Sequence, residues 1–555
     1  MLAYSNGIYK DFRELWSRKI YLVSIVLTML LSYGMLLINP TVGIDDTAFS
    51  VYFEDGVAPA MGRWCLYLIH KIFPLGYNPY VVEGVGLILF GISITLWCIV
   101  FYRMFGRTIS DAGYAFFGCI MLSSPIISEL IVWYLHNGIF MGYGVTALAV
   151  LCGMEAYRKR QNGKGWGDVP YLILSAVFLT VALGFYESFM IVFLMGMLMV
   201  FMLIRILKKE EYNGRIGKWI LYTAAEVLGS IMLRTVIVKG ITLLFRLESQ
   251  KDVLKSRGLY EVLGWFDGSR SFDDFIYIMK EFFVKYYING VVYLPITILV
   301  LAAGILILFA IVKSIRSKDV WILLAGLGVL MLPWIMPVLE GVATYYRTSQ
   351  YIPLLTAFSV LLVIWEYQKK KRNICVRSIG LFLAMVLLYQ QVYELGKWLY
   401  LDARKYEDTK RTLDAIALNI LENHDASKPI CIIGEYGVPE SLLQEGCTPK
   451  WSKKYTIVST LVKIVDEDIF DQYDTKQGYL YGETIALSFI DWGSAAFYGF
   501  DREIIKFWKM HGFTFAEDGN LSHYEEAEKY MEDGPVWPEQ DSIVEMEEYI
   551  IVNFG

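Results

Sequence analysis

The chain is 555 residues long, 56% hydrophobic and 15% aromatic, with mean hydropathy +0.44 and a formal net charge of −6. A soluble protein of this size would not expose so many long apolar runs, so a soluble globular fold is excluded. Its basic residues are dispersed through short loops rather than gathered on one domain, and no nucleic-acid partner is expected.

A membrane-crossing helix takes roughly 20 apolar residues. About eleven such runs occur, near 20–38, 80–102, 111–129, 138–156, 169–186, 188–207, 218–240, 291–312, 320–339, 351–366 and 377–399. The first is preceded by nineteen mixed residues and followed by Asn39-Pro40 rather than a small-residue cleavage site, so it reads as a retained helix and not a signal peptide. The stretch 169–207 is too long for one span and is split at Gly184-Phe185-Tyr186-Glu187-Ser188.

Loop charge orients the spans. With Met1 on the cytoplasmic side, the inside segments 1–19, 103–110, 157–168, 205–218, 313–319 and 367–377 carry 23 Lys+Arg. The short outside segments 39–79, 128–138, 187 and 340–350 carry 3. That asymmetry is the positive-inside pattern. An odd number of spans places the C-terminus outside.

Residues 401–555 differ in kind. They hold 30 Asp+Glu against 14 Lys+Arg, a net −16, which leaves the other 400 residues at +10. Such a shift marks a domain boundary, giving a bundle over 1–400 and an acidic extracytoplasmic α/β domain over 401–555. Leu413, Ile416, Ala417, Ile420 and Leu421 recur at helical spacing. Pro429 to Gly434 and Tyr549 to Val552 read as buried strands, and Ala495 to His511 as a helix stopped by Gly512. Cys431 and Cys447, the two cysteines of this part, either form a disulfide or stay as thiols.

On this topology the polar residues converge on the outer side. Asp45, Asp46 and Arg63 fall in the first outside loop, Glu129 at the second, and Tyr186 and Glu187 in the sharp third. Arg234 lies toward the outer end of the seventh span, and Tyr345, Tyr346 and Arg347 in the fifth outside loop. Ionisable groups at a membrane boundary are expensive and are kept for work. Two adjacent carboxylates repel and raise one another's pKa, whereas capping the segment Thr47 to Glu54 needs only one of them. Arg63 leads into an apolar and aromatic stretch, Trp64, Leu66, Tyr67 and Ile69, that predicts an amphipathic helix on the membrane surface. A guanidinium there suits two-pronged binding of phosphate.

The inside loops between spans have fourteen residues or fewer, too few for a nucleotide-binding domain, and no phosphate-binding glycine motif occurs. Group transfer on the outer side therefore needs a donor that arrives through the membrane, such as a lipid phosphate. It also needs a carboxylate to take a proton from the acceptor hydroxyl.

The run Asn39-Pro40-Thr41-Val42-Gly43-Ile44-Asp45-Asp46, followed by Gly62-Arg63-Trp64, resembles the type II glucosyltransferases that modify bacterial O-antigen. Those are polytopic glycosyltransferases of the GT-C fold that use a polyprenyl phosphate sugar. By this resemblance Asp45 and Asp46 match the acidic motif of the first extracytoplasmic loop, and Arg63 matches an arginine that follows it. Tyr186-Glu187-Ser188 is similar to a Tyr-Gln turn of the family, with Glu in place of Gln, and Trp64 stands where the family has Pro.

The expectation is a mostly α, GT-C-like membrane glycosyltransferase of the bacterial plasma membrane. It would move a hexose, glucose by resemblance, from a polyprenyl phosphate to a surface glycan. Asp45 and Asp46 are its catalytic candidates, one as general base or as ligand of a divalent cation. Arg63, Arg234 and Arg347 are candidates for the donor phosphate, and Tyr186 and Glu187 complete the binding set. The alternative is a transporter or flippase for lipid-linked sugar or polysaccharide. Against it, no internal repeat is visible, and of the charged residues only Glu226 sits at mid-depth.

Overall fold

A computed structural model describes residues 2–39, 41, 57–72, 79–131, 136–162, 166–212, 216–247, 265, 269–288, 298–369, 374–434, 436–439, 441–442, 460–470, 490 and 502–555. Asp45, Asp46 and Cys447 lie outside the described residues. In chain order the helices are α1 (Leu2–Ser17), α2 (Lys19–Ile38), α3 (Val57–Ala60), α4 (Trp64–Ile72), α5 (Pro79–Phe105), α6 (Asp111–Leu122), α7 (Ser128–Ile131), α8 (His136–Asn162), α9 (Val169–Phe185) and α10 (Phe189–Leu207). There follow α11 (Ile216–Leu244), α12 (Phe272–Phe283), α13 (Ile298–Ser317), α14 (Val320–Met331), α15 (Ile335–Glu340), α16 (Tyr351–Gln368) and α17 (Ile374–Asn423).

Among the described residues ten helical segments are long and apolar enough to cross a membrane, and α9 is a shorter apolar helix of 17 residues. These eleven are the spans expected from the apolar runs. At 1.5 Å per residue α9 reaches only ~25 Å, slightly less than a bilayer's hydrocarbon thickness. The break between α9 and α10 falls where the sequence places it. Tyr186 leaves the helix in an extended conformation, φ −159° and ψ 136°, and α10 restarts at Phe189.

The bundle packs through close approaches. A Cβ on Gly142 would lie 2.1 Å from the Phe189 ring, so only glycine lets α8 and α10 touch there. Trp97 is fully buried and donates from Nε1 to the Tyr143 carbonyl at 3.0 Å, so its one polar atom is satisfied inside the apolar core.

Ion pairs gather the basic loops at one end of the bundle. Arg103 meets Asp11 at 2.9 Å, Arg205 meets Asp319 at 2.6 Å and Arg158 meets Glu211 at 3.8 Å. Lys313 pairs with Glu366, and the Ser110 N–H donates to Gln368 Oε1 at 2.9 Å. Loops expected on a common side of the membrane thus share an end.

At the opposite end α17 runs without interruption for 50 residues, through the position where composition changes. It feeds two separate cores. Leu395 and Leu399 belong to the bundle, whereas Leu413, Ile416, Ala417 and Ile420 pack with the C-terminal strands. Leu421, counted on the apolar face by its spacing, is instead 51% exposed, one position round the helix from the buried stripe.

The C-terminal region contains a four-stranded mixed sheet of β1 (Pro429–Ile433), β2 (Ala516–Glu517), β3 (Ile543–Glu545) and β4 (Ile550–Asn553), in the order β2-β1-β4-β3. β1 is parallel to β2 and β4, and β3 is antiparallel to β4. Two helices accompany it, α18 (Arg502–Met510) and α19 (Leu521–Tyr530). α18 is described from Arg502 onward, and Gly512 follows it at φ +90°. Trp508 of α18 is fully buried and donates to the Leu413 carbonyl at 2.8 Å, which docks α18 on α17.

Contacts between described residues join this region to the bundle. Thr41 Oγ1 donates to Asp402 Oδ2 at 3.0 Å, and Lys280 of α12 meets Asp466 at 2.9 Å. Asp402 also pairs with Lys405 at 3.1 Å, and both are buried.

Candidate active site

The end of the bundle that carries the C-terminal region also carries the basic residues singled out in the sequence. Arg63 sits between α3 and α4. Its N–H donates to the Ala58 carbonyl at 2.8 Å, and its own carbonyl accepts from the Tyr67 N–H at 3.3 Å, which starts α4. The side chain is buried, and its guanidinium carbon lies 4.5 Å from the centroid of the Tyr186 ring. That cation–π contact ties the guanidinium to the Tyr186 ring.

Helix α4 does not rest on the membrane surface alone, as its pattern had suggested. Trp64, Leu66 and Tyr67 are buried against the bundle, and a Cβ on Gly184 would fall 2.6 Å from the Trp64 ring. The apolar face that was assigned to lipid is covered by protein. Burial also pushes the Cys65 thiol up to about 12, so it holds no thiolate at neutral pH and is not a nucleophile beside Arg63.

Arg234 reaches the same place from α11. It donates to Glu187 Oε1 at 2.6 Å and to the Met61 carbonyl at 3.3 Å. Gly62 makes room: it sits at φ +81°, and a Cβ there would lie 1.7 Å from Arg234 Nη2. The Arg234 charge is balanced by Glu187, so this pair braces the site.

The turn Tyr186-Glu187-Ser188 gathers these parts. Tyr186 carries Arg63, Glu187 holds Arg234, and the Ser188 hydroxyl donates to the side-chain oxygen of Gln350. Gln350 is fully buried. Its Nε2 donates to the Arg347 carbonyl at 2.6 Å, and its own carbonyl accepts from the Tyr143 hydroxyl at 2.6 Å. One turn between two spans thereby links three distant segments.

Arg347 stands in a tight turn, Tyr346–Thr348, half-buried, with its guanidinium carbon 4.8 Å from the Tyr345 ring centroid. α7, with buried Glu129, packs against this turn. Beneath the turn α12 continues into a π-helical segment, Val284–Ile288. Tyr286 bonds from there to the carbonyls of Thr344 and Tyr345 at 3.1 and 3.0 Å, and the Ser349 hydroxyl donates to it at 2.7 Å.

The described residues thus bring together Arg63, Tyr186, Glu187 and Arg234, and Gln350 links their turn to the backbone of Arg347. Asp45 and Asp46 lie outside the described residues. Thr41, four positions before Asp45, is held to Asp402 at this end. No group of three or more His, Cys, Asp or Glu side chains that could hold a metal ion is found among the described residues. Sequence reasoning missed Gln350 and Tyr286, whose hydrogen-bond partners outside their own turns lie 58 residues or more away along the chain.

The sequence model of the glucosyl transferase GtrII family matches residues 34–390. The chain belongs to that family. No curated protein and no solved structure matches. The matched span includes all seven candidate residues and ends within α17, before the sheet. Family membership carries glucosyl transfer, so this glucosyltransferase is an enzyme acting on a sugar donor and an acceptor, and the transporter class is set aside. Its many apolar helices make it a multi-pass membrane protein.

Proposed function

We propose that this glucosyltransferase moves a hexose, glucose, from a polyprenyl phosphate sugar to a cell-surface glycan on the extracytoplasmic side of a bacterial plasma membrane. The observation that carries the reading is the meeting of Arg63 and Arg234 at the Tyr186–Ser188 turn, which Gln350 links to the backbone of Arg347, at the bundle end where Thr41 bonds Asp402. The basic loops gather at the other end, which is the end expected in the cytoplasm.

In this mechanism Asp45 or Asp46 takes the proton of the acceptor hydroxyl as its oxygen attacks the anomeric carbon. The bond from that carbon to the phosphate oxygen breaks, and polyprenyl phosphate departs with the bonding electrons. Arg347 and Arg63 bind the donor phosphate and meet its growing charge, which is where a fixed cation lowers the barrier. Arg234, paired with Glu187, holds the turn that carries Arg63's aromatic partner. The acidic C-terminal domain flanks the acceptor side, tied to the bundle by Asp402 and Asp466.

The test is transfer by the purified full-length protein in liposomes. Polyprenyl phosphate glucose should support glycosylation of a surface-glycan acceptor, and nucleotide glucose without lipid carrier should not. Turnover on nucleotide glucose alone would refute the mechanism.

A further inference from the structure

We propose that Lys285 is a further cationic ligand for the phosphate of the lipid-linked donor, beside Arg347 at the Tyr345 ring. The proposal rests on the polyprenyl phosphate reading above and names the part of the site that meets the leaving group.

Lys285 lies in the π-helical segment that continues α12, outside the membrane spans, and is 2% exposed. A lysine so deeply buried is uncommon, because removing an ammonium from water is expensive. A π-turn inserts a residue into the helix and recurs at functional positions. Here it turns Lys285 and Tyr286 inward together.

Lys285 Nζ lies 4.7 Å from the Tyr346 ring centroid and 5.6 Å from that of Tyr345. Arg347 lies 4.8 Å from Tyr345. Two cations thus stand within 6 Å of one ring, and that ring is 48% exposed. The arrangement is held tightly. The Tyr346 hydroxyl donates to the Lys285 carbonyl at 3.1 Å, and the Tyr286 bonds fasten the π-turn to residues 344–349. An anion arriving at Tyr345 would meet both charges, one as a planar fork and one as a compact point charge.

The charge count fits the leaving group better than the donor. A polyprenyl phosphate sugar is a phosphodiester with one negative charge. When the bond to the anomeric carbon breaks, the departing phosphomonoester approaches two. An added cation is therefore worth more in the transition state and product than in the bound donor, which raises turnover and not only affinity. The same chemistry could be satisfied by free phosphate, so the assay must separate the two sources.

The experiment measures binding of polyprenyl phosphate, of polyprenol without phosphate, and of inorganic phosphate to the full-length protein in nanodiscs. The wild type should prefer polyprenyl phosphate to polyprenol, and inorganic phosphate at equal concentration should not displace it. Lys285→Gln should weaken polyprenyl phosphate at least tenfold and leave polyprenol unchanged, while Lys285→Arg recovers most of the affinity. In turnover, Lys285→Gln should lower kcat more than it raises KM for the donor. Tyr345→Leu, which keeps both cations and removes the ring they share, should show a smaller loss of the same kind and guards against a folding defect in the Lys285 variant. Lys285→Gln binding polyprenyl phosphate as the wild type does overturns this inference alone. A wild type that does not distinguish polyprenyl phosphate from polyprenol overturns the donor reading as well. Displacement by inorganic phosphate at equal concentration assigns the cations to free phosphate and rejects the lipid-linked role.

Discussion

Asp45 and Asp46 carry the sharpest expectation at the scale of single residues. If one of them takes the acceptor proton, its replacement by Asn should cost about 10²–10⁴-fold in rate, the usual worth of a general base. On that reading a neighbouring carboxylate would help to tune the base, so the second Asn variant should be impaired rather than dead. Membrane insertion should not change, because the pair follows the first span and contributes no apolar burial. If one carboxylate instead binds a cation, a chelator abolishes activity and added divalent metal restores it. A mere helix cap behaves differently, since Asn caps about as well as Asp. Two well-folded Asn variants with normal rates would end the catalytic assignment. Arg63 and Arg234, though both arginines, answer to different tests: the first is stacked on Tyr186, the second is neutralised by Glu187.

Elements show what the sequence could and could not carry. The α9–α10 break was legible because a 39-residue apolar stretch cannot be one span, and its polar turn had to surface. Strands β1 and β4 were legible as short apolar runs beside turn residues. The docking of α4 was not, because lipid tails are as apolar as leucine, and Trp64, Leu66 and Tyr67 read alike whether they face lipid or protein. Gln350 was illegible for another reason: its bond to Ser188 spans 162 residues, and local pattern holds no trace of it. At the α17–α18 contact a pH dependence follows from structure. His511 ends α18 near Tyr406, with Nε2 3.4 Å from the hydroxyl, and its buried Nδ1 has no partner among the described residues. Burial pushes its pKa below the usual 6.5, Lys410 adds to that, and Asp414 opposes it. The folded form therefore binds its proton less readily than the unfolded form. Stability from this contact is present above about 6.5 and is lost as pH falls through the lower folded value. The hydrogen-exchange protection of α18, corrected for the intrinsic rate at each pH, should fall from pH 7.5 to 5.5, and His511→Phe should remove that fall. Equal protection of the wild type at both pH values would count against it.

For the whole molecule the deciding question is which end of the bundle faces the cytoplasm. The inside loops carry 23 Lys+Arg against 3 on the short outside loops, and the structure ties those basic loops together at one end. Lys280–Asp466 and Thr41–Asp402 tie the acidic C-terminal region to the other. Charge and packing thus divide the molecule the same way, although they arise differently. The first reflects how a chain is inserted, the second how it settles. The expected topology has Met1 inside and the sheet outside. A probe at Asp533, an exposed position beyond α19, tests it once Cys65 and Cys447 are replaced by serine. Asp533→Cys should react with a membrane-impermeant thiol reagent in intact cells. The native Cys375, exposed at the start of α17, should react only after permeabilisation and so serves as the internal control. The reverse pattern would turn the molecule over and place the Arg63–Arg347 site in the cytoplasm. There nucleotide sugars are abundant, and the argument for a lipid-borne donor would fail with the topology.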